Sequence, residues 1–237
     1  MQWTKSLLNL LYPNRCPVCG TFIGTQALLC DTCADSVVLA QDAYCHSCGK
    51  TTCLCSRSEF AYDAAVVCAV YQNVTPAIIA LKQSANTNFA FYAAQILAER
   101  LRTDNYPRPD CVMPVPMHRS KQLRRGYNQA ALIGRKLAEL LALPYREDVL
   151  TKERTATEQH TLSAAERANN TDSFGIRDCG LQGQCILLCD DVLTTGNTMH
   201  RCAALLKERG AAAVIAAAAA STAPKQKENA VSKEDTT

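Results

Sequence analysis

Two adjacent carboxylates, Asp190 and Asp191, follow a short apolar run at 185–189. Such a run, bounded by polar residues, is typical of a parallel strand buried on both faces. Carboxylates at the end of a buried strand are costly unless they face a cleft and hold a ligand. The next segment, TTGNT at 194–198, predicts a tight turn ahead of a helix over 200–209. Backbone N–H groups at such a turn form an anion site, so the predicted ligand carries a phosphate as well as hydroxyls, as ribose 5-phosphate does.

Residues 185–198, CILLCDDVLTTGNT, resemble the phosphoribosyl-pyrophosphate (PRPP) signature of type I phosphoribosyltransferases. The resemblance implies that Asp190 and Asp191 are the catalytic pair and hydrogen-bond the ribose hydroxyls. It also implies that the turn holds the 5-phosphate, with Gly196 letting the backbone approach it. The substrate-binding residues predicted in this turn are Thr194, Thr195, Gly196, Asn197 and Thr198.

Two other interpretations of the segment are weaker. An apolar run that ends in two acids also occurs in Walker B strands, but the chain contains no G-x-x-x-x-G-K-[ST] motif to accompany one. A purely structural Asp-Asp turn would not need Thr-Thr-Gly-x-Thr behind it.

Length and composition indicate a soluble protein with one sizeable domain and one small one. The chain has 237 residues, of which 48% are hydrophobic and 20% charged. Its net charge of +3 does not by itself require a nucleic-acid partner. No stretch is a convincing transmembrane segment. Residues 1–12 predict a short amphipathic helix and lack a clear cleavage site, so the expected location is cytoplasmic.

Eight of the fourteen cysteines lie in the first 55 residues, as four closely spaced pairs. In a reducing compartment this spacing predicts two closed tetrahedral zinc sites, in preference to disulfides or a redox dithiol. Local closure favours joining the first four and the last four cysteines, although a crossed pairing is open and His46 is a lesser candidate ligand. Glycines after two pairs would let backbone N–H groups point at sulfur. The predicted ligands are Cys16, Cys19, Cys30, Cys33, Cys45, Cys48, Cys53 and Cys55.

The rest of the chain alternates between apolar runs and helical patterns, which predicts an α/β fold with a parallel sheet. The predicted domains are a zinc-binding module at 1–57, the α/β domain at 58–221 and a disordered tail at 222–237. The predicted strands are 64–71, 111–115, 148–152, 185–189 and 211–219. The predicted helices are 75–82, with Pro76 in its first turn, 88–102, 128–141 and 200–209.

A second group of polar residues follows the strand at 111–115. The segment PVPMHR at 114–119 should face the same crevice as Asp190, because ligands of open parallel sheets bind at the carboxyl ends of strands. Lys121, Arg124 and Arg125 come next and could pair with pyrophosphate oxygens. A solvated basic face that begins a helix is the alternative, and it is favoured for Lys121.

These motifs together resemble the ComF/GntX family, which is associated with DNA uptake in natural competence. The resemblance rests on PVPMHR, RRGYNQA, Ala80-Leu81-Lys82, Gln159, Glu166-Arg167-x-Asn169 and the double zinc ribbon. It implies a type I phosphoribosyltransferase-like fold in which 115–118 is the pyrophosphate loop and 153–170 closes over the substrate. The additional substrate-binding residues that we predict are Lys82, Val115, Pro116, His118 and Arg119.

The expected ligand is PRPP with Mg²⁺, or another 5-phosphorylated ribose, and the expected chemistry is displacement of pyrophosphate at the anomeric carbon. The alternative is a non-catalytic factor that uses the phosphate site for single-stranded DNA or a regulatory nucleotide and contacts DNA-uptake proteins. A PRPP-sensing scaffold without turnover is a third hypothesis. The sequence leaves the acceptor and the oligomeric state open, a homodimer included.

Overall fold

The computed structural model describes residues 13–37, 43–56, 59–83, 86–154, 172–177 and 180–222. The predicted N-terminal helix, most of the predicted closing loop and nearly all of the predicted tail lie outside these residues. In chain order the elements are α1 (Asp31–Val37), β1 (Ala64–Val70), α2 (Tyr71–Lys82), α3 (Asn88–Thr103), β2 (Cys111–Pro114), α4 (Arg119–Arg125), α5 (Gln129–Leu141), β3 (Leu150–Arg154), β4 (Asp172–Ile176), β5 (Cys185–Leu193), α6 (Asn197–Glu208) and β6 (Ala213–Ser221).

Four parallel strands form the main sheet in the order β1-β6-β5-β2. The predicted α/β class is therefore confirmed. β5 extends beyond the predicted end at Cys189, and its ladder with β6 continues through Asp190 to Leu193. Its ladder with β2 stops at the pair Pro114–Cys189. Because β2 ends there, the side of β5 that carries the two acids is open to a cleft.

Helices cover both faces of the sheet. Alternate residues of β5, such as Leu187 and Cys189, pack with α2, α3 and α5 on one face. Ile186 and Leu188 pack with α6 on the other. Strand residues buried on both faces explain why the sequence shows apolar runs and not an alternating pattern.

Helix α2 begins earlier than predicted, and Pro76 does not lie in its first turn. The helix starts at Tyr71, so Pro76 lies in its interior. A proline there leaves the carbonyl four residues earlier, that of Gln72, without its helical donor. The Thr75 hydroxyl lies 3.5 Å from this carbonyl oxygen and 2.9 Å from that of Tyr71. This hydroxyl partly replaces the missing donor.

Two elements lack a clear sequence pattern. Helix α4 buries none of its residues and is held at its ends, by a cap on Ser120 N–H from His118 and by Gly126 in the left-handed conformation. Strand β4 pairs antiparallel with β3, and its Gly175 is opposite Thr151. A Cβ atom at Gly175 would lie 2.7 Å from the Thr151 hydroxyl, which accounts for a glycine in this strand.

The cysteine-rich segment packs directly on the α/β domain. Cys16 and Cys33 are buried in the same core as α2 and α3. The ring of His46 stacks between two tyrosine rings. Its centroid lies 4.9 Å from that of Tyr44 and 5.7 Å from that of Tyr106, so the ring contributes to packing in this structure. The predicted boundary at residue 57 stays a prediction, but the segments on its two sides are in close contact.

No helix in the described parts of the chain is both long enough and apolar enough to cross a bilayer.

We expect Leu187→Ala to lower the free energy of unfolding by about 2–5 kcal/mol, because it leaves a cavity in the central strand. Leu187 is fully buried, whereas Leu123 on α4 is 77% exposed. The matched variant Leu123→Ala should therefore change stability by less than about 0.5 kcal/mol. Urea unfolding followed by circular dichroism measures both. Equal effects of the two variants would contradict the assigned core.

Candidate functional site

The carboxyl ends of β2 and β5 form one cleft. Parallel strands end at the same edge of a sheet, so the turn after Pro114 lies beside Asp190. A cavity of 220 Å³ occupies this cleft, and we call it the site cavity. Its charged and polar lining residues include Lys82, His118, Lys121, Arg125, Asn128, Gln129, Lys152, Asp190, Asp191 and Thr198. Four lysines and arginines outnumber the two acids, which favours an anionic ligand.

The two carboxylates of the site cavity differ in their surroundings. Asp191 forms an ion pair with Lys82, with Nζ and Oδ2 separated by 3.2 Å. Asp190 accepts a hydrogen bond from the Asp191 N–H at 2.8 Å. Burial raises the pKa of Asp190 well above its usual range, the charge of Asp191 raises this pKa further, and Lys82 partly opposes the shift. Both carboxyl groups line the site cavity, where their oxygens can hydrogen-bond sugar hydroxyls.

Residues 194–198, which we call the phosphate loop, run from the end of β5 into the first turn of α6. Thr194, Thr195 and Asn197 are exposed, whereas Thr198 lines the site cavity. Gly196 is buried and has φ +85°. A Cβ atom there would lie 2.7 Å from Phe60, so packing against this ring and the positive φ require the glycine. The prediction that Gly196 lets the backbone approach a phosphate stays a prediction, and packing on the protein-facing side gives a second reason for the glycine.

The turn after β2 is held by its backbone. Val115 is buried, and its N–H donates to the carbonyl of Cys189 at 2.8 Å. Its own carbonyl accepts from the Asn128 side chain at 2.9 Å. Pro116 and His118 line the site cavity as predicted from their position in the chain. His118 also caps α4, since its Nδ1 accepts from the Ser120 N–H at 3.2 Å.

Arg119 does not line the site cavity. It is exposed on α4 and lines a neighbouring cavity of 580 Å³ together with Lys152 and Arg177. Lys152 and Asn128 line both cavities, so the two cavities lie side by side at these residues.

Lys121 and Arg125, which from the sequence could pair with pyrophosphate, line the site cavity. Three further polar residues of its lining were not predicted: Asn128, Gln129 and Lys152. Asn128 and Gln129 lie within RRGYNQA, so a signal for them existed. Tyr127 and Gln129 both donate to the Leu81 carbonyl, at 2.7 and 3.4 Å, which brings α5 against the end of α2 beside Lys82. Lys152 has no local motif, because only the β3–β4 pairing places it at the cleft.

The cysteines form two clusters of four, and the grouping agrees with the predicted local pairing. Within each cluster all sulfur atoms lie within 4.8 Å of one another. Tetrahedral zinc with Zn–S bonds of about 2.3 Å requires sulfurs about 3.8 Å apart. The Sγ atoms of Cys19 and Cys30 are 3.6 Å apart, and those of Cys45 and Cys55 are 3.7 Å apart. Both clusters therefore fit a zinc ion. Their members are Cys16, Cys19, Cys30 and Cys33, and Cys45, Cys48, Cys53 and Cys55.

The glycines of the cysteine turns have positive φ, +79° at Gly20 and +70° at Gly49. Their N–H groups donate to the carbonyls of Cys16 and Cys45, at 2.9 and 2.7 Å. The glycines thereby close the turns. Backbone N–H groups around them point at sulfur, as predicted: the Leu54 N–H donates to the Cys48 sulfur at 3.5 Å, and the Lys50 N–H donates to the same sulfur.

Two family models match the chain. A model of the double zinc ribbon domain matches residues 7–69, and a model of the phosphoribosyl transferase domain matches residues 123–237. A purine phosphoribosyltransferase from Pyrococcus horikoshii is among the similar solved structures, at 20% identity and a TM-score of 0.37. The alignment covers 54% of this chain and 70% of that one. A TM-score of this size supports no argument about function.

Curated relatives are similar over most of their length. "Competence protein F" of Haemophilus influenzae is 29% identical over 70% of this chain and 75% of the relative. "DNA utilization protein YhgH" of Escherichia coli K12 is 30% identical over 82% of this chain and 85% of the relative. With both domain models matched and these relatives covered, the chain belongs to the ComF/GntX family, which joins a double zinc ribbon to a phosphoribosyltransferase-type domain.

Proposed function

We propose that this protein binds PRPP with Mg²⁺, or another 5-phosphorylated ribose, in the site cavity and transfers the phosphoribosyl group with release of pyrophosphate. One observation carries the proposal. Asp190 and Asp191 share a 220 Å³ cavity with Lys82, Lys121, Arg125 and Lys152. Acids suit ribose hydroxyls and cations suit a pyrophosphate, so both halves of PRPP find partners in one cleft.

In the proposed reaction the bond between C1 of the ribose and the pyrophosphate oxygen breaks, and the acceptor forms a new bond to C1. Pyrophosphate leaves with the bonding electrons, and the acceptor loses its proton. The protein contributes position and charge stabilisation. Asp190 and Asp191 would hydrogen-bond the ribose hydroxyls, and Lys121 and Arg125 would stabilise the charge that develops on pyrophosphate.

Mg²⁺ would supply further charge stabilisation of the leaving pyrophosphate. It prefers oxygen ligands, keeps several waters and commonly binds through one or two carboxylates and substrate phosphates. The carboxylate oxygens of Asp190 and Asp191 are ligands of the type it prefers, so the residues of the cleft fit this ion.

The first test is Asp191→Asn, measured by isothermal titration with Mg²⁺-PRPP. The amide keeps the shape of the side chain but removes a charged acceptor, whose hydrogen bond contributes roughly 1.5–3 kcal/mol. We expect PRPP to bind about ten- to a hundredfold more weakly. Asp63→Asn is the matched control, because Asp63 also pairs with a lysine, Lys207 at 2.8 Å, but lies before the amino end of β1.

The control should bind PRPP as the wild type does. Wild-type protein with no saturable binding of PRPP or ribose 5-phosphate would contradict the proposed function. Normal binding by Asp191→Asn would leave the function standing and remove Asp191 from the site.

We also propose that the two cysteine clusters hold zinc. Elemental analysis of protein purified without added metal should give about two zinc ions per chain, one for each set of four thiolates. Cys19→Ala and Cys53→Ala change one exposed ligand in each cluster. Each should lower the zinc content towards about one ion per chain. Zinc-free protein, or disulfides among these eight cysteines, would contradict the assignment.

A nucleic-acid-handling role is the second candidate, and the exposure of α4 favours it. No residue of this helix is buried, and it presents Arg119, Lys121, Arg124 and Arg125. Cations arranged in this way could contact the backbone of single-stranded DNA next to the site cavity. The names of the relatives, which concern competence and DNA utilisation, point in the same direction.

The DNA role predicts that Arg119→Glu with Arg124→Glu weakens single-strand binding and flattens its dependence on salt. Neither residue lines the site cavity, so PRPP binding should be retained. Arg108→Glu is the matched control, since Arg108 is exposed but precedes β2 at the opposite edge of the sheet. Fluorescence anisotropy across a salt series measures the slopes. Equal slopes for all variants would exclude α4 as the contact surface.

A further inference from the structure

The side chain of Lys50 reaches from the second cysteine cluster to the end of β5. It follows the ligand Cys48 by two residues and is 1% exposed. Its ammonium donates to the carbonyl oxygens of Leu193 at 2.5 Å and Thr222 at 3.3 Å, and also to that of Thr194. An ammonium has three donors, and here each of them has an acceptor.

These contacts determine where two backbone N–H groups of the phosphate loop point. In a trans peptide the C=O and the following N–H point in opposite directions, and the described chain has no cis peptide. With the carbonyls of Leu193 and Thr194 directed at Lys50, the N–H groups of Thr194 and Thr195 point away from it. Among the described residues neither N–H has an acceptor. Lys50 thereby orients two donors that an anion can use.

The second cluster also supports the loop at Gly196, through the side chain of Tyr62. The carbonyl of Cys48 accepts from the Tyr62 hydroxyl at 3.2 Å. The Tyr62 ring stacks on Phe60 at 5.0 Å, and both side chains lie directly beneath Gly196. Cys48 and Lys50 therefore support the loop at its start and at its glycine.

Gly49 explains how the cysteine segment can approach so closely. A Cβ atom at this position would lie 2.5 Å from the Leu193 side chain and 3.1 Å from that of Ala65. The Ala65 N–H donates to the carbonyl of His46 at 2.6 Å. The second cluster is thus bonded to β1 and packed against β5, with no space for a side chain between them.

We infer that Lys50 is a positioning residue for the phosphate loop, and that metal in the second cysteine cluster strengthens binding of a 5-phosphorylated ribose by holding Cys48 and Lys50 in place. The inference deepens the proposed function and depends on it. The first cluster should not have this effect, because Cys16 and Cys33 pack with α2 and α3 on the other face of the sheet.

Lys50→Met tests the residue, since methionine keeps an unbranched stem and removes the donors. Isothermal titration should show ribose 5-phosphate bound at least about tenfold more weakly. This corresponds to the loss of one or more hydrogen bonds from the loop N–H groups to the charged phosphate. Pyrophosphate, held by the cations of the site cavity, should change less than about twofold. A general loss of stability would weaken both ligands, so the selective loss distinguishes positioning from structure. Lys136→Met, on α5, is the matched control and should change neither affinity.

The two exposed ligands Cys19 and Cys53 test the metal without altering Lys50. Cys53→Ala should weaken ribose 5-phosphate binding and Cys19→Ala should not. Linkage requires the reverse effect as well, so ribose 5-phosphate should raise the zinc affinity of the second cluster, measured by equilibrium competition with a chromophoric chelator in wild-type protein and in Cys19→Ala.

Several results would overturn the inference. If the wild type binds ribose 5-phosphate, and Lys50→Met and Cys53→Ala bind it equally well, the inference fails while the proposed function stands. If Lys50→Met does not fold, an unchanged zinc affinity of wild-type protein at saturating ribose 5-phosphate overturns the inference. A wild type that binds neither ribose 5-phosphate nor PRPP overturns both the proposed function and the inference.

Discussion

The rest of the structure depends on the placement of two carboxylates at the end of a buried strand. β5 is covered on both faces and paired with β6 through Leu193. Charge at this position would be costly to bury, and it is tolerated because β2 ends at Pro114 and opens a cleft beside Asp190. Lys82 compensates part of the charge through its ion pair with Asp191. The cleft is therefore a consequence of unequal strand lengths in a parallel sheet.

The cations of the site cavity come from separate elements that meet only in the folded protein. Lys82 ends α2, Lys121 and Arg125 belong to α4, and Lys152 lies on β3. Hydrogen bonds from Tyr127 and Gln129 to the Leu81 carbonyl fasten two of these elements together beside the cavity. Because α4 has no buried face, its position depends on its caps and on the chain that follows it. The positions of the charged side chains in the cleft thus depend on a few polar contacts.

The cysteine clusters belong to the architecture of the α/β domain as well as to the zinc ribbon. Forty residues with few apolar side chains cannot form a core of their own, so the two cysteine segments pack against the α/β domain. The first contributes Cys16 and Cys33 to the core with α2 and α3. The second contributes Tyr44 to the core on the α6 face and places Lys50 on the end of β5. The match of the double zinc ribbon model to residues 7–69, which runs into β1, is consistent with this shared packing.

The sequence by itself determined the features that rest on local pattern: the cysteine spacing, the apolar run before Asp190, and the alternation that predicts a parallel sheet. It missed α4 and β4 because neither has an apolar period, and it placed the start of α2 too late because Pro76 is tolerated in the helix interior. Only the tertiary structure decided that Lys152 lies at the cleft, that packing against Phe60 leaves no room for a side chain at Gly196, and that Lys50 reaches β5. These are contacts between residues far apart in the chain, and a local pattern carries no information about them.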